Sequence, residues 1–301
     1  MGGTVSDETS TGTDVSVKRK VSEELSSHSI FSDLEMAAEF YERLSDLVFP
    51  FMSRTRMPVG LDSAFFDSLA GTVESIKALL LKGMIGDAYT LLRRFREVGW
   101  LQIYVMVRLE DQSLLGVGPS GDGSQVDSER LIELVEQAMQ KGIYVDEIER
   151  WMAGEESLPE LRVFNQRIAS SPAVGQLNLL FAHGYKEIHD RCNDHVHINT
   201  FPILRANVPG VDFRSKTALL EQFADDFRDL FIRHVAYVFS VKQEYMASTD
   251  YVGSLECGLT PDDESQYWVA PFVQEVFDRI VALRRPDVMD FFRDNSSMEL
   301  V

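Results

Sequence analysis

Between Ser215 and Tyr245 the large apolar residues Leu219, Leu220, Phe223, Phe227, Leu230, Phe231, Val235 and Val238 recur every three or four positions. That spacing commits the segment to one long helix with a broad buried face. Such a face needs other helices to cover it, and the rest of the chain supplies candidates. Leu34, Ala37, Ala38, Tyr41, Leu44 and Val48 predict a helix over Phe31 to Arg56, with Ser32 as its cap and Glu35 three residues on. Further helices are expected from Leu61 to Leu81 and from Gly86 to about Arg108, an antiparallel pair joined near Gly83, and then over Asp127 to Gln140, Val145 to Met152 and Pro159 to Ile168. Pro172 opens another, Gln266 to Leu283 and Pro286 to Phe292 close the series, and loops are expected at 200–213 and 253–263. No run alternates as a strand does. The fold class that follows is all-α, a multi-helix bundle.

Residues 1–28 are Ser-, Thr- and Gly-rich with almost no large apolar side chains, and cannot repay the entropy of ordering. They are expected to be a flexible tail before a helical domain over 29–301. The Gly-rich stretch 116–124 marks a flexible loop at about 112–126. Gly118 to Gly123 lacks the Lys-Ser/Thr ending of a phosphate loop, so no nucleotide site is expected there. Of 301 residues 45% are apolar, enough for a large core, and the formal net charge is −19. That acidity excludes a surface coated for nucleic acid but leaves room for a local basic strip. One exists: over 77–108, Lys77, Lys82, Arg93, Arg94, Arg96 and Arg108 stand against only Asp87 and Glu97. The two cysteines, Cys192 and Cys257, make no disulfide framework, and no secretory leader pattern is visible, so the expected compartment is the cytoplasm. The uncharged stretch 168–185 is too polar for a membrane span.

Chemistry concentrates at Tyr185 to Asn199, which holds His189, Arg191, Cys192, Asn193, His195 and His197. Arg191 and His195 are four apart and share a helix face. His197 lies about 120° round the axis from Arg191, and converges with it only where the helix ends or bends. Asn199 and Pro202 make an ending there plausible. A guanidinium beside an imidazole needs no metal to cleave a phosphodiester: one holds a phosphoryl oxygen and the other moves protons. RNA suits such a pair because its 2′-hydroxyl is an internal nucleophile.

Tyr185…Arg191-Cys-Asn-Asp-His-Val-His197 resembles the Arg, four-to-six residues, His signature of the HEPN superfamily, helical-bundle proteins of prokaryotic toxin, abortive-infection and RNA-processing systems. Gly86-Asp-Ala88…Leu91-Leu-Arg93-Arg-Phe-Arg-Glu97 is similar to the Leu-x-Arg-x-x-x-Glu helix of HEPN-like families. The resemblance covers about 61–245, the rest being flanking helices. It implies a metal-independent endoribonuclease of a defence or toxin system, Arg191 and His197 as the catalytic pair with His195 as the alternative histidine, a homodimer, RNA as substrate, and no cofactor. The chain departs from the family pattern in one place. Active members often carry a polar residue, commonly Asn, directly after the Arg, where this chain has Cys192 and only then Asn193. Either the register differs or catalysis has been lost, and the second possibility implies a non-catalytic helical module that pairs with itself or a partner protein.

Plainer readings stand beside these. The cluster is also consistent with a polar helix end whose histidines bond to backbone and to Asp190 or Asp194, or with a zinc site using Cys192, His195, His197, His189 and Asp190. His189-Asp190 resembles the metal pair of helical HD phosphohydrolases, but the further upstream His is missing, His183 being too close. Arg93, Arg94, Arg96 and Glu97 are RNA-binding or structural, with Arg93–Glu97 a plain intrahelical pair in the second case. Trp100 and Tyr104 are expected in the core or an interface rather than as base-stacking platforms.

Overall fold

The computed structural model describes residues 26–52, 61–113, 146–181, 184–208, 213–248 and 268–296, with Tyr251, Gly253, Ser254, Cys257, Met298 and Leu300 beside them. Nearly all of the expected tail, most of the expected loop at 112–126 and the helix expected over Asp127 to Gln140 lie outside these residues. The described chain is all-α. Its long helices are α1 (Ile30–Met52), α2 (Leu61–Leu81) and α3 (Ile85–Ser113). Shorter ones follow: α4 (Asp146–Met152), α5 (Leu161–Ser170), a 3₁₀ turn Pro172–Val174, α6 (Gly175–Leu180), α7 (Tyr185–His197) and α8 (Phe201–Arg205). Then come α9 (Phe213–Val241), a 3₁₀ turn Gln243–Met246, α10 (Pro271–Val276), a π-helical turn Phe277–Val281, α11 (Ala282–Arg284) and α12 (Pro286–Asn295). Among the described residues the sole β feature is an isolated antiparallel bridge, Ala247 to Val269.

Helix α3 is the hub, packing on α2, α5, α7 and α9, while α1 covers α2 and reaches α10. The stripe of α9 is buried as its spacing predicts, with Phe223, Phe227, Phe231 and Val235 in the core beside Tyr41, Phe66 and Phe95. The α2–α3 hairpin turns where expected, and Gly83, at φ 71°, takes the left-handed conformation that only glycine adopts freely. Trp100 and Tyr104 are core residues: Tyr104 stacks on Phe164, and Trp100 lies against Tyr185 and Tyr237.

Several boundaries move. Helix α1 starts at Ile30, so Ser32 sits inside it and caps nothing; burial of Ile30 and Phe31 pulls the start forward, and the Ile30 N–H donates to His28 Nδ1 instead. Helix α5 begins two residues after Pro159, and α3 runs on to Ser113. The expected connection at 200–213 contains α8, because Pro202 in a first turn gives up no hydrogen bond that the helix needs. Helix α9 stops at Val241, and Tyr245 belongs to the 3₁₀ turn, where its hydroxyl donates to the buried Asp62. The helix expected from Gln266 begins at Pro271 and passes through the π turn before Leu283.

Two glycines test this packing. A Cβ on Gly99 would lie 2.8 Å from Cδ2 of the buried His234, whereas one on Gly71 would meet nothing within 4 Å. Gly99→Ala is therefore expected to cost about 1–3 kcal/mol. Gly71→Ala, exposed and mid-helix, is expected to gain roughly 0.5–1 kcal/mol. Urea denaturation of the two variants checks both signs.

Candidate functional site

Helices α3, α7 and α9 meet around a carboxylate that the sequence alone does not single out. Asp226 of α9 follows Phe223 by three residues and precedes Leu230 by four, so the helical period carries it to the buried face, where it is only 4% exposed. Charge in such a place requires partners. Arg191 supplies a two-pronged one, donating from Nε to Oδ2 at 2.8 Å and from Nη2 to Oδ1 at 2.5 Å. The Tyr89 hydroxyl of α3 donates to Oδ2 as well, at 3.0 Å. This pairing raises the pKa of Arg191, while burial and the charge of Asp226 push the Tyr89 phenol far above its ordinary range. Arg191 is a permanent cation here, its side chain 32% exposed, and Nη1 has no protein partner among the described residues.

His195, one turn beyond Arg191, stacks flat on the ring of Tyr89, with centroids 4.2 Å apart and planes within 9°. Burial lowers its pKa against the opposing pull of Asp194 and Asp226, which favours the neutral imidazole. Its Nδ1 is buried without a partner among the described residues. Tyr89 thus touches both the carboxylate that holds Arg191 and the imidazole of His195, and binds them into one group.

His197 is not brought into that group. Helix α7 stays regular through His197, so the bend that would swing it toward Arg191 does not occur, and the side chain is exposed on the last turn. The helix ends one residue later at Ile198, left-handed at φ 51°, with the Ile198 and Asn199 N–H groups both donating to the Asp194 carbonyl. Asn199 Nδ2 also donates to Asp194 Oδ1 at 2.7 Å.

His189 and Asn193 of α7 bond within the fold. His189 Nδ1 receives a hydrogen bond from Nη1 of Arg96, and its Nε2 lies 2.8 Å from the Asn193 side-chain amide. Burial first, and Arg96 second, lower the pKa of His189. The histidines therefore do not bond to Asp190 as a simple polar helix end would. Cys192 is fully buried, and its thiol is pushed up to about 12 by burial, which suppresses the thiolate that a nucleophile or zinc ligand requires. Among the described residues no three His, Cys, Asp or Glu side chains are grouped to hold a metal ion.

On α3, Arg93 pairs with Glu97 at 2.8 Å and Arg94 is exposed, whereas Arg96 is 4% exposed and belongs to the interior. Its period, four after Leu92, is the signal that separates it from its neighbours. The arginine part of the strip at 93–96 is thus two partly solvated arginines and one buried one. Among the described residues no helix is long and apolar enough to cross a membrane. No protein-family model matches the chain, and no curated protein or solved structure matches it either.

Proposed function

We propose that the Arg191–His195 face of α7 is the working part of a metal-independent endoribonuclease, in an all-α bundle of HEPN-like type. The observation that carries this reading is the joint anchoring of Arg191 and His195 by Tyr89 and Asp226, at a surface where the guanidinium keeps a free edge. The neutral His195 imidazole takes the proton of a ribose 2′-hydroxyl, and the 2′-oxygen attacks the adjacent phosphorus. Arg191, through Nη1, meets the charge that grows on the phosphoryl oxygens. The proton then passes from the His195 imidazolium, through solvent, to the departing 5′-oxygen. The products are a 2′,3′-cyclic phosphate and a 5′-hydroxyl. The resemblance adds a role in prokaryotic defence or toxicity and a homodimer, for which Phe201 and Leu204, 68% and 49% exposed just beyond His197, offer an apolar contact face.

The second reading, a non-catalytic interaction module, draws on the same ion pair: Asp226 occupies two of the Arg191 nitrogens, as a purely structural tie between α7 and α9 would. Incubating purified protein with total RNA in EDTA and mapping the ends separates the two. Cleavage by the wild type, reduced by roughly 10²-fold or more in His195→Gln and Arg191→Lys and retained in His197→Ala, is the expected result. Intact RNA with the correctly folded wild type would leave the module reading in its place.

A further inference from the structure

Behind the α3–α7 contact lies a cavity of about 20 Å³ lined by Phe95, Arg96, Gly99, Trp100, Tyr185, Leu230, Arg233 and His234. That is room for one water-sized occupant. Its lining residues carry four buried polar atoms with no hydrogen-bond partner among the described residues: Nε and Nη2 of Arg96, the Tyr185 hydroxyl and Nε2 of His234. Orphans of this kind are individually costly, and four on residues of one cavity need an explanation.

All four act as donors. The Arg96 nitrogens and the Tyr185 O–H are donors by chemistry. For His234 the tautomer follows from Tyr41, whose fully buried hydroxyl lies 2.8 Å from Nδ1 and has no other partner among the described residues. If Tyr41 donates to Nδ1, the proton of the ring sits on Nε2 and one orphan remains. The opposite tautomer would leave both the Tyr41 proton and Nε2 unsatisfied.

The charge balance points the same way. The Arg96 side chain is 2% exposed, and its nearest carboxylate, Glu97, lies 3.7 Å away, is 45% exposed and is already bonded to Arg93. Arg233 spends its Nε on Asp229 and Nη1 on the Phe181 carbonyl. Both guanidiniums lie over the Tyr185 ring, at 5.6 and 5.9 Å. Helix α7 begins at Tyr185 with no side-chain cap, adding the positive end of its dipole. A buried guanidinium whose nearest carboxylate is engaged elsewhere, beside two further donors without acceptors among the described residues, calls for an acceptor that carries negative charge.

We infer that this cavity is a binding site for a single halide-sized anion, chloride in ordinary buffers, held by Arg96, Tyr185 and His234. The cavity is too small for a phosphate group or a carboxylate ligand, and the inference does not depend on the proposed ribonuclease chemistry. Because Arg96 also holds His189, the anion would set how α7 seats on α3.

The test is the melting temperature of the full chain titrated with sodium chloride against sodium gluconate at constant ionic strength, for wild type and Tyr185→Phe. The wild type is expected to show a saturating rise in Tm with chloride, since a ligand bound only by the native state stabilises it by mass action. Tyr185→Phe, which removes one donor and almost no volume, is expected to shift the midpoint of that rise to higher chloride. Equal melting curves in the two salts would overturn the assignment, as would a chloride response unchanged by Tyr185→Phe, which would place the ion elsewhere. Bromide exchanged into crystals supplies the second readout: an anomalous peak in the cavity supports the site, and its absence at saturating bromide overturns it.

Discussion

Asp226→Ala is expected to destabilise the fold by about 3 kcal/mol, the lower part of the range for removing one partner of a buried ion pair. The substitution strips the Tyr89 hydroxyl of its acceptor and leaves the Arg191 guanidinium without its carboxylate. Arg191 is 32% exposed, so solvent takes up part of its loss, which keeps the cost from the top of the range. Arg191→Ala is expected to cost at least as much, because it leaves a carboxylate 5% exposed with Tyr89 as its only remaining hydrogen-bond donor among the described residues. Replacing both, Arg191→Met with Asp226→Leu, removes the desolvated charges together and is expected to recover most of either loss. Urea denaturation of wild type, Arg191→Met, Asp226→Leu and the double variant forms a double-mutant cycle. A coupling energy near zero would show that the pair does not tie α7 to α9. Because Arg191→Ala disturbs folding on this account, the charge-conserving Arg191→Lys is the variant that reports on RNA cleavage.

The second large effect is a pH dependence centred on His234. Burial lowers its pKa from 6.5 to about 3 in the native state. Between those values the unfolded chain binds one more proton than the folded one, so stability increases with pH across the window and is lost as pH falls below 6.5. The slope from this single group approaches about 1.4 kcal/mol per pH unit well below pH 6.5. His189 and His195, also lowered, contribute slope of the same sign and persist in a His234→Gln variant. The difference between wild type and that variant therefore isolates His234. Chemical denaturation from pH 7.5 to 5 in a chloride-free buffer is expected to give a shallower acid decline for His234→Gln, and parallel declines would show that the ring is not held neutral by burial.

Much of the architecture was readable before any coordinates. The stripe of α9 and the α2–α3 hairpin at Gly83 follow from apolar spacing and a turn residue, both of which are local. The boundaries were not readable in the same way. Ser32 carries a capping pattern, yet Ile30 and Phe31 gain more by entering the core than the cap offers. Pro202 marks a break and also opens α8. At the site, the sequence brought forward Arg191, His195 and His197 by spacing alone, while Tyr89 and Asp226, which organise two of the three, sit in apolar stripes and looked like ordinary helix positions. A carboxylate at the period of a buried face, as at Asp226, and an arginine at such a period, as at Arg96, are the signals that would have found them.

By itself, then, the sequence determined that this chain is all-α, which faces of its long helices are buried, and that its densest group of arginine and histidine lies on one short helix. Those properties depend on periodicity and propensity, which act within a few turns. Only the tertiary structure decided that Arg191 is clamped by Asp226, that His195 rather than His197 joins it, and that Arg96 is buried beside a cavity. Each of those outcomes depends on residues dozens to more than a hundred positions apart meeting where water is excluded. There the cost of leaving a charge unpaired, and not the local pattern, selects the partner.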